Sequence, residues 1–223
     1  AYQLLDENPQ ETIQVIFNYA DRPYNRLEEV LYEQGVDGLF IITWRMDPSL
    51  IRLIERSPVI LPLVIFNDFS PSLNANILYT DVREGMKIAV SYLAGKGYQQ
   101  LGLLKAPSEV LFQNDGTSEM IPSIDIQEKL NGFLEGVKNE HITVRKSWIR
   151  ECPSYRESDA YEVMKSWIRE KKLPRAIICT NDEMALGALK ALKEAKLWCP
   201  GKVALIGFDD IDRGRFTSPS LTT

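Results

Sequence analysis

The stretch RAIICTNDEMALGALKALKEAKLWCPGKVALIGFDDI, residues 175–211, leaves few folds open to this chain. Residues 176–179 and 203–208 are unbroken apolar runs. A strand with one wet face alternates apolar and polar residues, so unbroken runs imply strands covered on both faces, as in a parallel sheet. Between them Ala185, Leu189, Leu192 and Ala195 recur every three or four residues and form one stripe of a helix. Thr180 and Glu183 fit a capping box at its start, and Pro200-Gly201 turns the chain into the second strand. Strand, covering helix and parallel strand define an α/β unit.

The polar residues of this unit are concentrated at one edge. Asn181-Asp182 and Asp209-Asp210 each follow directly after a strand. In open parallel sheets, ligands bind in the crevice outside the carboxyl ends of the strands. A carboxylate only accepts hydrogen bonds and an amide both donates and accepts, so the set suits a ligand rich in hydroxyls. Spacing alone leaves a second reading open, in which Asn181 and Asp182 start a helix and Asp209 and Asp210 make a surface turn.

The same pattern runs through the rest of the chain, whose 223 residues can bury a sizeable core. Strands are predicted at 12–19, 36–42, 61–66, 101–104 and 144–149. Helices are predicted near 27–34 and from Asp47-Pro48, with Ile51 and Ile54 buried. Another starts near Asp81, with Ile88, Ala89, Tyr92 and Leu93 facing inward, and others lie at 126–137 and 161–168. Tyr161, Met164, Trp167 and Ile168 are spaced as core residues of a helix rather than as a stacking platform. Residues 108–123 lack either period and contain the turn signal Asn114-Asp115-Gly116, which predicts a long, mobile loop poised as a lid.

Composition narrows the function classes. With 31 acidic and 26 basic residues the net charge is −5, and no basic stripe or helix-turn-helix pattern offers phosphate contacts for DNA. No apolar run is long enough to span a membrane, and AYQLLDENPQ lacks the basic end and apolar stretch of a secretion signal. The three cysteines, Cys152, Cys179 and Cys199, are odd in number and lack metal-ligand spacing, as expected of a reducing compartment. His141 is the one histidine, which leaves neither a zinc site nor a histidine-based triad a partner. Gly-x-Gly-x-x-Gly and P-loop patterns are missing. An enzyme using Asp209 and Asp210 together is disfavoured, because adjacent side chains on an extended strand point oppositely. No catalytic residue, metal or cofactor is therefore expected.

CTNDEMALGALKAL (179–192), VALIGFDDI (203–211) and SPSLTT (218–223) closely resemble the effector-binding core of LacI/GalR-type transcriptional repressors. GVDGLFII (35–42), PLVIFND (62–68), the stretch 81–104 and KLNGFLEGV (129–137) follow in that family's order, so the resemblance covers nearly the whole chain. It implies a periplasmic-binding-protein-like fold of two similar doubly wound parallel-sheet subdomains with a ligand cleft between them. The boundaries it implies are 1–105 for the first subdomain, without its opening strand and most of its first helix, and 106–223 for the second, without its final segments. It further implies a small-molecule effector, with a sugar the expected class, and a cytoplasmic homodimer. The dimer would form through first-subdomain elements including helices near 48–56 and 83–94, and operator DNA would be read only through a headpiece outside these residues. An extracytoplasmic sugar-binding protein with the same fold is the alternative.

By this resemblance the ligand-binding residues are Asn181, Asp209, Asp81, Tyr155 and Lys129. Lys129 stands where the family places an arginine and offers a point charge rather than a bidentate fork. Tyr155 stands where an aromatic covers the sugar, although Pro153 and Ala160 replace glycines of the usual pattern. Asp81 has an equally good reading as a helix cap. Asp68 matches an acidic position near the cleft mouth but suits a turn better.

Overall fold

In a computed structural model of the chain, residues 38–42, 48–57, 62–66, 72–114 and 117–223 are described. They fall into two compact units that divide at Tyr79–Thr80. The strand and helix expected at 12–19 and 27–34, and Asp68, lie outside the described residues.

The first unit contains a three-stranded parallel sheet in the order β1-β2-β3, with β1 at Leu39–Ile42, β2 at Leu63–Phe66 and β3 at Asn76–Leu78. Helix α1, Pro48–Arg56, contributes Leu50 to a core with Leu63 and Ile65, and Ile51 and Ile54 pack at its margin. Pro48 opens this helix, where its missing amide costs no hydrogen bond.

The second unit is built on a four-stranded parallel sheet. Its order is β7 (Ile149–Glu151), β4 (Leu101–Lys105), β8 (Ala176–Cys179) and β9 (Ala204–Ile206). Alternate residues of β8 serve opposite faces. Ala176 and Ile178, with Leu101, Leu103, Ala204 and Ile206, join a core with Met86, Val90, Leu93 and Phe133. Those partners come from α2 (Val82–Gly95) and α3 (Ile124–Asn139). Ile177 and Cys179 join Leu104, Leu205, Met164, Trp167, Met184 and Leu192 on the other face. There the cover is α4 (Glu157–Arg169) and α5 (Asp182–Glu194). Both faces of β4, β8 and β9 are thus dry, which accounts for the unbroken apolar runs, whereas the edge strand β7 is partly exposed.

The division of the chain corrects the expected boundary at 105/106. Strand β4 hydrogen-bonds between β7 and β8, and α2 packs its Met86, Val90 and Leu93 on that same sheet, so residues 80–105 belong to the second unit. Helix 83–94 is accordingly not a first-unit element. Its inward face is also rotated from the expected one. Leu93 is buried as predicted, but Ile88 and Tyr92 are exposed and Met86 and Val90 take their places. The strand expected at 144–149 is a short 3-10 turn, Lys146–Trp148, followed by β7. The unpatterned stretch 108–123 is an antiparallel hairpin, β5 (Glu109–Asn114) with β6 (Thr117–Pro122), closed at its base by the Ser123 amide on the Ser108 carbonyl (2.7 Å). Two strands pair only with each other there, so no longer apolar run marks them in the sequence.

Helix pairs α2/α3 and α4/α5 approach closely through glycine. A Cβ on Gly132 would lie 2.3 Å from the Arg83 carbonyl oxygen, and one on Gly187 would lie 2.1 Å from that of Glu157. Alanine favours a helix interior by about 1 kcal/mol over glycine. A backbone atom cannot swing aside, however, and overpacking typically costs about 1–3 kcal/mol or more. Gly187→Ala is expected to lower the urea unfolding midpoint, whereas Gly95→Ala, where a Cβ meets nothing within 4 Å, is expected not to lower it.

Candidate functional site

The expected site residues all lie in the second unit, and most gather where its strands end. The chain leaves β9 through Gly207, Phe208, Asp209 and Asp210, and the carboxylate of Asp182 holds this turn from beneath. Asp182 is fully buried at the first turn of α5. Its Oδ1 accepts from the Phe208 amide (2.7 Å) and its Oδ2 from the Ile211 amide (2.9 Å). A Cβ on Gly207 would fall 1.9 Å from Oδ1, so only glycine leaves room for the carboxylate. The turn carries Asp209 at φ 129° and Asp210 at φ 53°, left-handed values that side chains seldom adopt. Two anchored amides hold it there. Asp182 is the residue that sequence reasoning passed over as a helix starter; a carboxylate between a buried strand and a Gly-containing turn was the available signal.

Asn181 caps α5. Its Oδ1 accepts from the Met184 amide (2.7 Å) and its Nδ2 donates to the Tyr155 carbonyl (3.3 Å). The expected Thr180–Glu183 capping box does not form. The Thr180 hydroxyl instead accepts from the Ala106 amide (2.9 Å), joining the ends of β8 and β4, and Glu183 pairs with Arg213 (3.0 Å) on α6 (Asp212–Arg215). A helix cap two strands deep in a sheet has tertiary partners available, and they took the hydroxyl.

Tyr155 follows β7, half-exposed, with its hydroxyl 3.3 Å from Ser123 Oγ at the foot of the hairpin. Asp81 caps α2, accepting from the Glu84 amide (2.9 Å), the helix-cap reading that the sequence left open. It stays near the same edge, since Gly85, roughly 6 Å further along the helix, faces the Phe208 ring. Lys129 is buried. Its Nζ donates to the Thr180 carbonyl (3.0 Å), pairs with Asp125 (3.1 Å) and stands 4.3 Å from the centre of the Phe208 ring.

Asp209 is exposed as a residue, yet enough protein crowds its carboxyl to push its pKa up to about 6. Lost hydration is the main cause; Asp182 and Asp125 push the same way, while Lys129 and a hydrogen bond from the Asp182 amide oppose them. Burial also raises the thiol of Cys152 to about 12 and that of Cys179 well above its usual value, so both behave as core residues. Among the described residues no group of three or more His, Cys, Asp and Glu is placed to hold a metal ion, and no helix is long and apolar enough to cross a membrane.

The second unit is doubly wound and presents amide, carboxylate and phenol at its strand ends. The periplasmic binding protein-like domain family matches residues 90–223. The HTH-type transcriptional repressor PurR of Haemophilus influenzae is 26% identical over 98% of this chain and 70% of its own length. That of Proteus mirabilis is 30% identical over 87% of this chain and 53% of its own length, so the chain spans about half to seven-tenths of these relatives. Among solved structures, a LacI-family regulatory protein from Chloroflexus aggregans superposes with a TM-score of 0.73 at 22% identity, over 89% of this chain and 66% of the other. The transcriptional regulator CelR in complex with cellobiose gives 0.71 at 18%, over 89% and 56%. The chain belongs to the periplasmic binding protein-like family, as an effector-binding domain of the LacI/GalR type.

Two expectations follow from this geometry. Hydrogen bonds to a charged group contribute about 1.5–3 kcal/mol each, so Asp182→Ala is expected to cost roughly 3 kcal/mol or more in denaturant unfolding. Asp182→Asn is expected to lose nearly as much, because one of the two amide donors would then face an NH2 group. For Asp209 the folded pKa lies above the usual 3.8, so the folded state holds the proton more tightly than the unfolded one. Its ionisation therefore opposes folding, and its contribution falls as pH rises from about 4 to about 6. Thermal unfolding of Asp209→Asn against the parent chain is expected to show a stability gain that grows across that window and levels off above it.

Proposed function

We propose that this chain binds a hydroxyl-rich small molecule, a sugar or sugar derivative, as the sensing part of a cytoplasmic, homodimeric, DNA-binding transcriptional repressor. The observation that carries the reading is the convergence of Asn181, Asp209 and Tyr155 on the carboxyl edge of one buried parallel sheet. Asp209 supplies a partly dehydrated acceptor for neighbouring hydroxyls, Asn181 an amide already fixed in direction by its cap, and Tyr155 a ring face for the apolar side of a pyranose. Sugar hydroxyls donating to Asp209 favour its ionised form, so binding is tighter above pH 6 than below it. The relatives' description as repressors and the cellobiose held by one structural neighbour support the same reading over that of a transport component. Operator binding belongs to a segment other than the acidic residues of this chain. Effector binding shifts the regulator only in so far as the ligand favours one conformation over another. The reading calls for no turnover of the ligand.

A thermal-shift screen of neutral mono- and disaccharides, ribose and cellobiose among them, identifies the ligand, and calorimetry on Asp209→Ala then tests the site. Loss of one charge-assisted contact is expected to weaken binding about ten- to a hundredfold with the fold intact. Unchanged affinity in Asp209→Ala would remove this residue from the site.

A further inference from the structure

We propose that Lys129 is a positioning residue of this site rather than a ligand contact: its ammonium fastens α3 to the end of β8 and to the Phe208 ring, and so holds the turn that presents Asp209. This rests on the strand-end site described above. An ammonium group has three hydrogens and no lone pair. One of Lys129's is donated to the Thr180 carbonyl (3.0 Å), the Asp125 carboxylate pairs with the charge at 3.1 Å, and the ring face of Phe208 at 4.3 Å is the third attractive surface. Only 4% of the residue is exposed, so a ligand would have to displace one of these partners to reach it.

The three contacts come from three elements. Asp125 lies one turn earlier on α3, Thr180 ends β8, and Phe208 belongs to the turn after β9 whose amide Asp182 already holds. The Phe208 ring also meets Gly85 of α2, where an added Cβ would lie 3.0 Å from its Cζ. Asp209 is the next residue along the chain. The charged groups acting on it are Lys129 and Asp125 from α3 and Asp182 from α5, and Lys129 is the cation among them. A buried lysine engaged by a carbonyl, a carboxylate and a ring thus sets both the place and the charge of its neighbour.

The test needs no ligand, so its outcome is independent of whether a sugar binds. The carboxyl titration of Asp209 is followed by 13C NMR in the full chain, with the resonance assigned by its loss in Asp209→Asn. Lys129→Met removes the cation and keeps the length of the side chain; it is expected to raise the Asp209 midpoint by roughly half a unit to one unit, the lower end of what a nearby opposite charge contributes. Lys129→Arg is expected to hold the midpoint within a few tenths of a unit. Asp125→Asn removes an opposing carboxylate and is expected to move the midpoint down. A midpoint that stays put or falls in Lys129→Met overturns the proposal. Should Lys129→Met fail to fold, a midpoint that fails to drop in Asp125→Asn overturns it equally. Changes in both stated directions, with thermal unfolding retained, support it, since a residue that only filled space would leave the titration unmoved.

Discussion

The proposed site hangs on the buried carboxylate of Asp182. Its two oxygens accept the amides of Phe208 and Ile211, which belong to a turn with no regular structure to satisfy them. A charge taken out of water is tolerated only when fully bonded, and here the turn supplies the donors. In exchange, the carboxylate fixes left-handed backbone at Asp209 and Asp210, the conformation that a free turn would abandon. The first turn of α5 and the end of β9 are thereby one rigid corner. Asn181, which caps α5, and Asp209, in the turn after β9, flank this corner.

That corner is rigid because the sheet beneath it is. Strands β4, β8 and β9 are packed on both faces, with odd and even residues of β8 in different cores. Helices pair above and below through glycine contacts that let backbones approach to within side-chain-excluding distance. Strand ends therefore cannot slide relative to one another without opening a core on each side. Hydrogen bonds across the ends, from Ala106 to Thr180 and from Lys129 to the Thr180 carbonyl, use that rigidity to set the spacing of the polar groups. The hairpin β5–β6 rises from the same edge, its feet tied by Ser123 to Tyr155 and by Ser108 to Lys105 and Glu151. One foot of the hairpin is thus tied to Tyr155, a residue of the proposed site.

Electrostatics at this edge are a contest among few charges. Lys129, Asp125 and Asp182 all act on Asp209, and each of the three carboxylates has a different solution. Asp182 is satisfied by amides and Asp125 by the lysine. Asp209 is left to solvent on one side and holds its proton more readily than an ordinary aspartate. A carboxylate in that state is the one with acceptor capacity to offer a ligand.

The sequence by itself determined the fold class and the edge of the sheet where the polar residues stand. Unbroken apolar runs at 176–179 and 203–208 can only be buried on both faces, and a residue directly after such a run must leave at the strand's carboxyl end. The motifs 179–192 and 203–211 carried the family. What only tertiary structure decided was partnership. The apolar residues of α2 and β4 fit either unit's sheet, so the boundary could not be placed at Tyr79–Thr80 until the pairing of β4 with β7 and β8 was seen. Thr180 and Asn181 are both competent caps; the Ala106 amide, distant in the chain, took the threonine and left the asparagine. Lys129 reads as an exposed helix lysine until Asp125, Thr180 and Phe208 are found around it. Periodicity reports how often a residue meets the core, but hydrogen-bond partners far apart in sequence leave no period behind.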